Sequence, residues 1–433
     1  MPLVDMRDML NHAYHNNYAV GGFSLVNLDF LEAIVTAAEH CRSPVILNLV
    51  ESHFEHFDFG LIMPAVEHAA RNATVPIAIH SDHGTSHASA VRAINLGCNS
   101  VMMDASLESF PVNIARTRHV ADMAHACGAA VEGELGYVGG GEGENAAKYP
   151  GEGVYTAAEE AKAYAERTGV DCLAVSIGTV HGRQRGRAKL DFGRLKRIND
   201  MLGIPLVLHG GSGLTEEQYH KVILNGIAKI NCYTGLSDIA ARTIRSNLQP
   251  DTGKGYIETM RGVRDSLREQ IKLYMRLWGS AGRAAEVLIQ CRPWQPVEHV
   301  IIYNAEGVNT QQVEAMIAQG RACLSSIPGV RRVFAGWATA EPAQYRFCWL
   351  VQFVHANVIE SFHIHPEYRD FTNQYFQPTT HDKISISFVA DQPAAIPNMA
   401  GSASTVSSRI IHNGENPLLL DDFHVSLTKP QCQ

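Results

Sequence analysis

Short apolar runs with strand-like spacing recur along the first two-thirds of the chain, and helical patterns separate them. The strand-like runs are Tyr18–Leu25, Pro44–Leu49, Val75–Ser81, Ser100–Ala105, Ala129–Leu135, Cys172–Ile177, Pro205–Leu208 and Ile227–Cys232. Between them lie Ala- and Leu-rich stretches with apolar positions near a 3.6-residue period, such as Leu31–Glu39 and Val112–Cys127. Strands alternating with helices predict a parallel sheet covered by helices. Polar residues end the third, fifth, sixth, seventh and eighth runs. That spread suits a closed ring with all its strand ends on one rim, so the expected fold is an α/β (β/α)8 TIM barrel. A doubly wound open sheet, which gathers its ligand at one crevice, is the alternative.

The pattern changes after the eighth run. Residues 256–290 read as helical and close the first domain, expected at 1–290. Pro293 and Pro296 mark a linker, 291–296. Then follow a strand at Val297–Tyr303, a helix at Gln311–Ser325, strands at Val330–Trp337 and Gln344–Val354, a helix at His355–Asn373 interrupted at Pro366, and a strand at Ile384–Phe388. This β-α-β-β-α-β order predicts a small α+β, ferredoxin-like domain over 297–390. The Pro-, Ser- and Asn-rich remainder, 391–433, reads as an extended or disordered tail. Two loops are unusual. Gly133–Gly153 is long, glycine-rich and carries several glutamates, as lids do. His181–Lys189 is basic, and suits either a phosphate neighbour or a solvated charged loop.

Composition narrows the function. The chain has 433 residues, 45% hydrophobic and 18% charged, and a net charge of −8. With no basic cluster it carries no footprint for nucleic acid. No apolar run approaches the roughly 20 residues that span a bilayer, and the charged N-terminus MPLVDMRDML lacks a signal peptide's apolar centre. A cytoplasmic protein is expected, without nucleic-acid or membrane partners. Nine cysteines stand singly, with no CxxC pair, as buried free thiols in a reducing compartment do.

The candidate chemistry sits at strand ends. The third strand runs into Ser81-Asp82-His83-Gly84, the sixth into Ser176–Gly182 (SIGTVHG), the seventh into Leu208–Gly213 (LHGGSG), and the eighth is followed by Tyr233-Thr234. His83, His181 and His209 end three different strands beside glycine. Converging imidazoles with an open fourth position describe a catalytic zinc site. Gly210–Gly213 follows His209 directly, and glycines let backbone N–H groups approach a phosphate at the end of strands seven and eight. Lys229 shares a face of the eighth strand with Asn231, so a Schiff-base lysine is a rival chemistry. A sugar-phosphate sensor without turnover is a second rival.

With these segments in hand, residues 1 to about 285 resemble the class II, zinc-dependent fructose-bisphosphate/tagatose-bisphosphate aldolase family. The resemblance rests on SDHG, VEGELG at Val131–Gly136, the glycine loop with Glu142, SIGTVHG, LHGGSG, and KIN followed by Thr234. It implies that His83, His181 and His209 bind Zn2+, and that Asp104 and Glu134 hold the metal in an alternative position. It implies Asp82 as proton donor to the aldehyde oxygen and Glu142 as the loop glutamate that moves the proton of the donor carbon. Gly182, Gly210, Gly211, Ser212, Asn231, Cys232, Tyr233 and Thr234 then form the pocket for dihydroxyacetone phosphate, assisted by Na+ or K+. The chain departs from the family at the acceptor half. Val50 replaces a hydroxyl residue, Ser24 a more usual Asn, and Tyr233 an Asp or Ala. No Asp-Pro-Arg clamp for a far phosphate is found near Gly255–Glu258. The expected activity is therefore zinc-dependent cleavage of a ketose 1-phosphate or acid-sugar 1-phosphate to dihydroxyacetone phosphate and an aldehyde, with fructose 1,6-bisphosphate not the substrate. Residues 297–390 resemble a stress-responsive A/B-barrel (Dabb-type) domain through His299–Ile302, Leu324–Gly329, the aromatic strand and His365–Tyr368. That resemblance implies sheet-mediated assembly, and a homo-oligomer (dimer or tetramer) is expected. His299, His363 and His365 either line a pocket there or simply pack.

Overall fold

A computed structural model of the protein describes residues 2–140, 153–182, 188–249 and 254–389. Eight strands close into a barrel in chain order: β1 (Val20–Ser24), β2 (Val45–Val50), β3 (Ile77–Gly84), β4 (Ser100–Met103), β5 (Ala130–Leu135), β6 (Cys172–Val175), β7 (Leu206–Leu208) and β8 (Ile227–Cys232). Every neighbouring pair is parallel, and β1 pairs with β8 to complete the ring. The open doubly wound sheet is thereby excluded.

Alternation along the strands divides the bore into layers. Val20, Ile46, Ala78, Ala130, Cys172 and Val207 point inward at the amino-terminal end. There they pack against Met6, Met9 and Leu10 of the helix Met6–His15, which plugs the barrel floor. On four of these strands the residue two positions further on is polar, Asn48, His80, Glu132 and His209, and β8 adds Lys229 and Asn231, all buried. Outward positions such as Phe23, Leu47, Ile79 and Val131 join the larger apolar layer beneath the surrounding helices. One set of strands therefore carries an apolar seal and, above it, a polar cup.

Several boundaries differ from the sequence expectation, such as β3, which runs three residues past Ser81 to Gly84, and two of the differences have a visible local reason. β4 stops at Met103 because Asp104 turns the chain, its Oδ1 accepting from Ser106 N–H (3.0 Å) and Oγ–H (2.7 Å). The 256–290 stretch is three helices, Tyr256–Thr259, Val263–Leu277 and Ala284–Gln290, with Gly262 at φ +75° dividing the first two.

Beyond Pro296 the chain forms a four-stranded antiparallel sheet of β9 (Val297–Ala305), β10 (Val330–Trp337), β11 (Phe347–Phe353) and β12 (Thr380–Val389), in the order β10-β11-β9-β12. The second helical region breaks at His365, which is extended (ψ 134°) ahead of Pro366, giving Val358–Ile364 and Pro366–Phe371. Inward residues Val297, Ile301, Tyr303, Trp349, Val351 and Phe353 are buried under the helices, and the other face is left open. This sheet docks on the barrel's amino-terminal face. Arg331 pairs with Glu67 at the end of the helix Phe59–Asn72. Asn95 Oδ1 accepts from Gly329 N–H at 2.7 Å, and its amide donates to Ile327 O at 3.1 Å. Trp294 stacks on His355 with ring centroids 4.7 Å apart.

Candidate active site

Strand alternation aims His80 and Asp82 into the bore from β3. The next residue, His83, would ordinarily point away. Its backbone instead lies in the left-handed region (φ 50°), where the β3–β4 register shifts between Ser81 and Gly84. Left-handed backbone is rare for a residue with a Cβ and collects at functional sites. Here it brings two successive side chains to one place. The His83 ring lies 4.6 Å from that of His209, at the end of β7, and 5.2 Å from that of His181, beyond β6; the last two are 5.6 Å apart. One ring nitrogen from each of the three lies within 4.8 Å of the others. An ion held at about 2 Å from each nitrogen would need them somewhat closer together than that limit.

The outer nitrogens are fixed by carboxylates. His83 Nδ1 lies 2.7 Å from Asp104 Oδ2, and His209 Nε2 lies 2.8 Å from Glu132 Oε1. Each ionised carboxylate accepts the ring proton, which fixes the tautomer and turns the other nitrogen's lone pair inward. His209 Nδ1, so turned, is buried and makes no hydrogen bond. A basic nitrogen orphaned in this way fits a metal ligand. Asp104 and Glu134 form a second possible ligand group with His83, also within 4.8 Å. Burial works against ionisation of Asp104, but the His83 hydrogen bond and charge outweigh it and hold its carboxyl below the usual range. Burial, then the charge of Asp104, pushes Glu134 up.

Beneath the imidazoles lies a charged layer. Lys229 Nζ is 2.6 Å from Glu132 Oε2 and 3.8 Å from Asp82 Oδ1. His80, Asp82 and Glu132 could by distance alone hold a metal, but the lysine ammonium already sits beside both carboxylates. Burial would lower the Lys229 pKa; Glu132 and Asp82 more than offset that and keep the amine protonated. The ion pairs with Glu132 and Asp82 count against the Schiff-base alternative, because a lysine nucleophile has to be neutral. Asp82 Oδ2 accepts from Asn231 Nδ2 (2.8 Å) and Asn48 Nδ2 (3.2 Å). Burial opposes its ionisation, but the Lys229 charge, then that of His83, prevails and holds the carboxyl well below its ordinary range. The sequence reading passed over Asn48, His80 and Glu132. The period of two contains the missing information: each stands two residues from an inward position already of interest, Val50, Asp82 and Glu134.

On the β7–β8 side lies a narrow cleft lined by Ser24, His181, Gly182, Gly210, Ser212, Asn231, Tyr233 and Thr234. A Cβ on Gly210 would lie 2.3 Å from Val180 O, and its φ is +62°, so only glycine lets the two strand-end loops meet here. Thr234 opens the helix Thr234–Asn247, whose N-terminus faces the cleft. Gly211 and Cys232 do not line it. Cys232 is buried in the outer apolar layer, its Sγ 3.8 Å from Oγ of the cleft-lining Ser212. Val50 is buried and pairs in register with Asp82. Glu142 and most of the basic loop (183–187) lie outside the described residues, as does 391–433. Among the described residues, eight cysteines are free thiols, and no helix is long and apolar enough to cross a membrane.

Comparison with known proteins bears on this geometry. A sequence profile of the family described as fructose-bisphosphate aldolase class-II matches residues 4–283. The fructose-bisphosphate aldolase of Geobacillus stearothermophilus is 41% identical over 291 residues, covering 66% of this chain and 100% of that protein. The corresponding protein of Staphylococcus aureus (strain Mu50) is 38% identical over 289 residues and is likewise covered at 100%. Among solved structures, the YdjI aldolase of Escherichia coli K12 superposes with a TM-score of 0.57 at 33% identity, over 65% of this chain and 99% of that one.

Proposed function

The chain belongs to the class II fructose-bisphosphate aldolase family, a family of carbon–carbon lyases, and from that premise we propose that it is a zinc enzyme cleaving a ketose 1-phosphate or acid-sugar 1-phosphate reversibly to dihydroxyacetone phosphate and an aldehyde. The observation that supports this most is the convergence of His83, His181 and His209, two of them oriented by Asp104 and Glu132. The three imidazoles would hold the ion, and Asp104 and Glu134 would receive it in its alternative position. When bound, Zn2+ supplies Lewis-acid stabilisation of the charge that develops on the donor oxygens. The protein's own part begins with the phosphate. Gly182, Gly210, Ser212 and Thr234 bind it at the mouth of the helix Thr234–Asn247, together with Na+ or K+.

Asp82 then takes the proton of the hydroxyl on the carbon that becomes the aldehyde, and returns it to the aldehyde oxygen in condensation. Its preference for the ionised state suits it to begin cleavage as the base. Asn48 and Asn231 hold the carboxylate in place, so little reorganisation is needed when the proton moves. Glu142 serves the donor carbon. Among the described residues named at the acceptor half, Val50 and Tyr233 carry no charge that would hold a second phosphate. We assay fructose 1,6-bisphosphate beside a panel of ketose 1-phosphates. Efficient cleavage of a ketose 1-phosphate with poor turnover of the bisphosphate is expected. Efficient turnover of the bisphosphate would refute the substrate assignment, and turnover of neither would return the sensor reading.

The same proposal divides the chain into a barrel (1–290), a linker (291–296) and a ferredoxin-like, Dabb-type unit (297–390), in a cytoplasmic enzyme. Because the second sheet sits opposite the active site, its role is assembly. The open face supports this: Phe334, Ile384, Ile386 and Phe388 are exposed there. Sedimentation of Ile386→Glu beside the wild type tests it. The wild type should run as a dimer or tetramer that the variant dissociates, and a monomeric wild type would end the assembly reading.

A further inference from the structure

Tyr233 carries the bulkiest of the side chains that line the cleft. Tyr233, at the end of β8, touches His53 of the segment Glu51–Glu55 that follows β2, with ring centroids 4.5 Å apart and planes tilted by 50°. β1 lies between β8 and β2 in the ring, so the two rings span the end of β1 above Ser24. His53 is buried while Tyr233 borders the cleft, so the imidazole backs the phenol. The donor phosphate lies on the β7–β8 side, and Asp82 on β3 marks where the aldehyde oxygen has to be. On the aldolase reading, a donor seated on the β7–β8 side leaves the sector over β1 and β2, between β8 and β3 in the ring, for the remaining carbons of an aldehyde whose oxygen meets Asp82. That is where the two rings stand.

We propose that Tyr233, backed by His53, is a specificity-determining wall that limits the acceptor to short, uncharged aldehydes, which narrows the reading above to ketose 1-phosphates and sets acid-sugar 1-phosphates aside. The inference rests on the aldolase reading above and adds the residues that set its selectivity. A long or phosphorylated aldehyde meets a filled volume, and its anion faces an aromatic surface whose π cloud repels negative charge. A two- or three-carbon hydroxyaldehyde fits against the rings.

The test is condensation of dihydroxyacetone phosphate with glycolaldehyde or with glyceraldehyde 3-phosphate by the zinc-loaded full chain. Selectivity is read as the ratio of kcat/KM values within each variant, so a general loss of activity cancels. The wild type should favour glycolaldehyde. Tyr233→Ala should move the ratio toward glyceraldehyde 3-phosphate by about tenfold or more, chiefly through the KM of the aldehyde. His53→Ala should move it the same way by a smaller factor of about threefold, because the phenol loses its backing, and Tyr233→Phe should leave it in place. A wild type that favours glyceraldehyde 3-phosphate, or a ratio unmoved in Tyr233→Ala, overturns the wall. Exchange of the donor-carbon proton of dihydroxyacetone phosphate by the wild type, measured without any aldehyde, separates the two failures. Exchange with an unmoved ratio sinks only the wall; absence of exchange sinks the aldolase reading and the wall together.

Discussion

Among the described residues Lys229 is the largest charged side chain sealed in the barrel, and its ammonium sits beside two carboxylates. Substituting it with Met would leave Glu132 and Asp82 buried without that partner. Removing one member of a buried pair costs about 3–5 kcal/mol, which urea unfolding of Lys229→Met should register. A loss below 1 kcal/mol would show that the pair is not what stabilises the layer. Borohydride reduction in the presence of dihydroxyacetone phosphate should leave no adduct on the wild-type lysine. That Lys229 faces inward is legible from the alternation of β8 alone. Its ion pair with Glu132 is not, because the partner lies 97 residues earlier on the far side of the ring. The left-handed backbone of His83 is equally hidden. It arises from a register shift between β3 and β4, and nothing in Ser-Asp-His-Gly announces a slip against a strand about twenty residues on.

Elements were the most legible part of this chain, since each strand of the barrel is a short apolar run and five of the eight runs end in a polar tip. Errors fell where a single residue decides, as at Asp104 and Gly262. The second sheet holds a pH-sensitive element of its own. His299 on β9 is buried, Nδ1 2.9 Å from Ser387 Oγ and Nε2 3.1 Å from Ser385 Oγ on β12. Burial, then the neighbouring His363, pushes its pKa from 6.5 down to about 4. The folded state thus takes up the proton less readily than the unfolded chain. Its contribution to stability is present above about pH 6.5 and is lost as the pH falls toward 4. Between pH 7 and pH 4.5 the melting temperature of the wild type should fall further than that of His299→Gln. Parallel curves for the two proteins would contradict the assignment. Acid effects elsewhere in the chain are common to both proteins and cancel in the comparison.

On the scale of the molecule, two events set the function, and both join distant parts of the sequence. Closure of the ring through β1 and β8 gathers histidines from β3, β6 and β7 onto one rim. Docking of the second sheet through Arg331 and Glu67 then places it at the opposite rim, away from the cleft. The first was legible because helix and strand patterns alternate eight times and the polar tips recur at the same end. The second was not, since the docking residues are ordinary in type and carry no periodicity. The account depends most on what the gathered rim binds. Its most direct test is the zinc stoichiometry of the purified full chain, measured by mass spectrometry of the metal beside His83→Ala, His181→Ala and His209→Ala. We expect about one zinc per wild-type chain, as the three-histidine geometry of a catalytic site requires, and a large loss in every variant that still folds. A wild type that carries no zinc after growth with the metal supplied, or variants that keep it in full, would contradict the account.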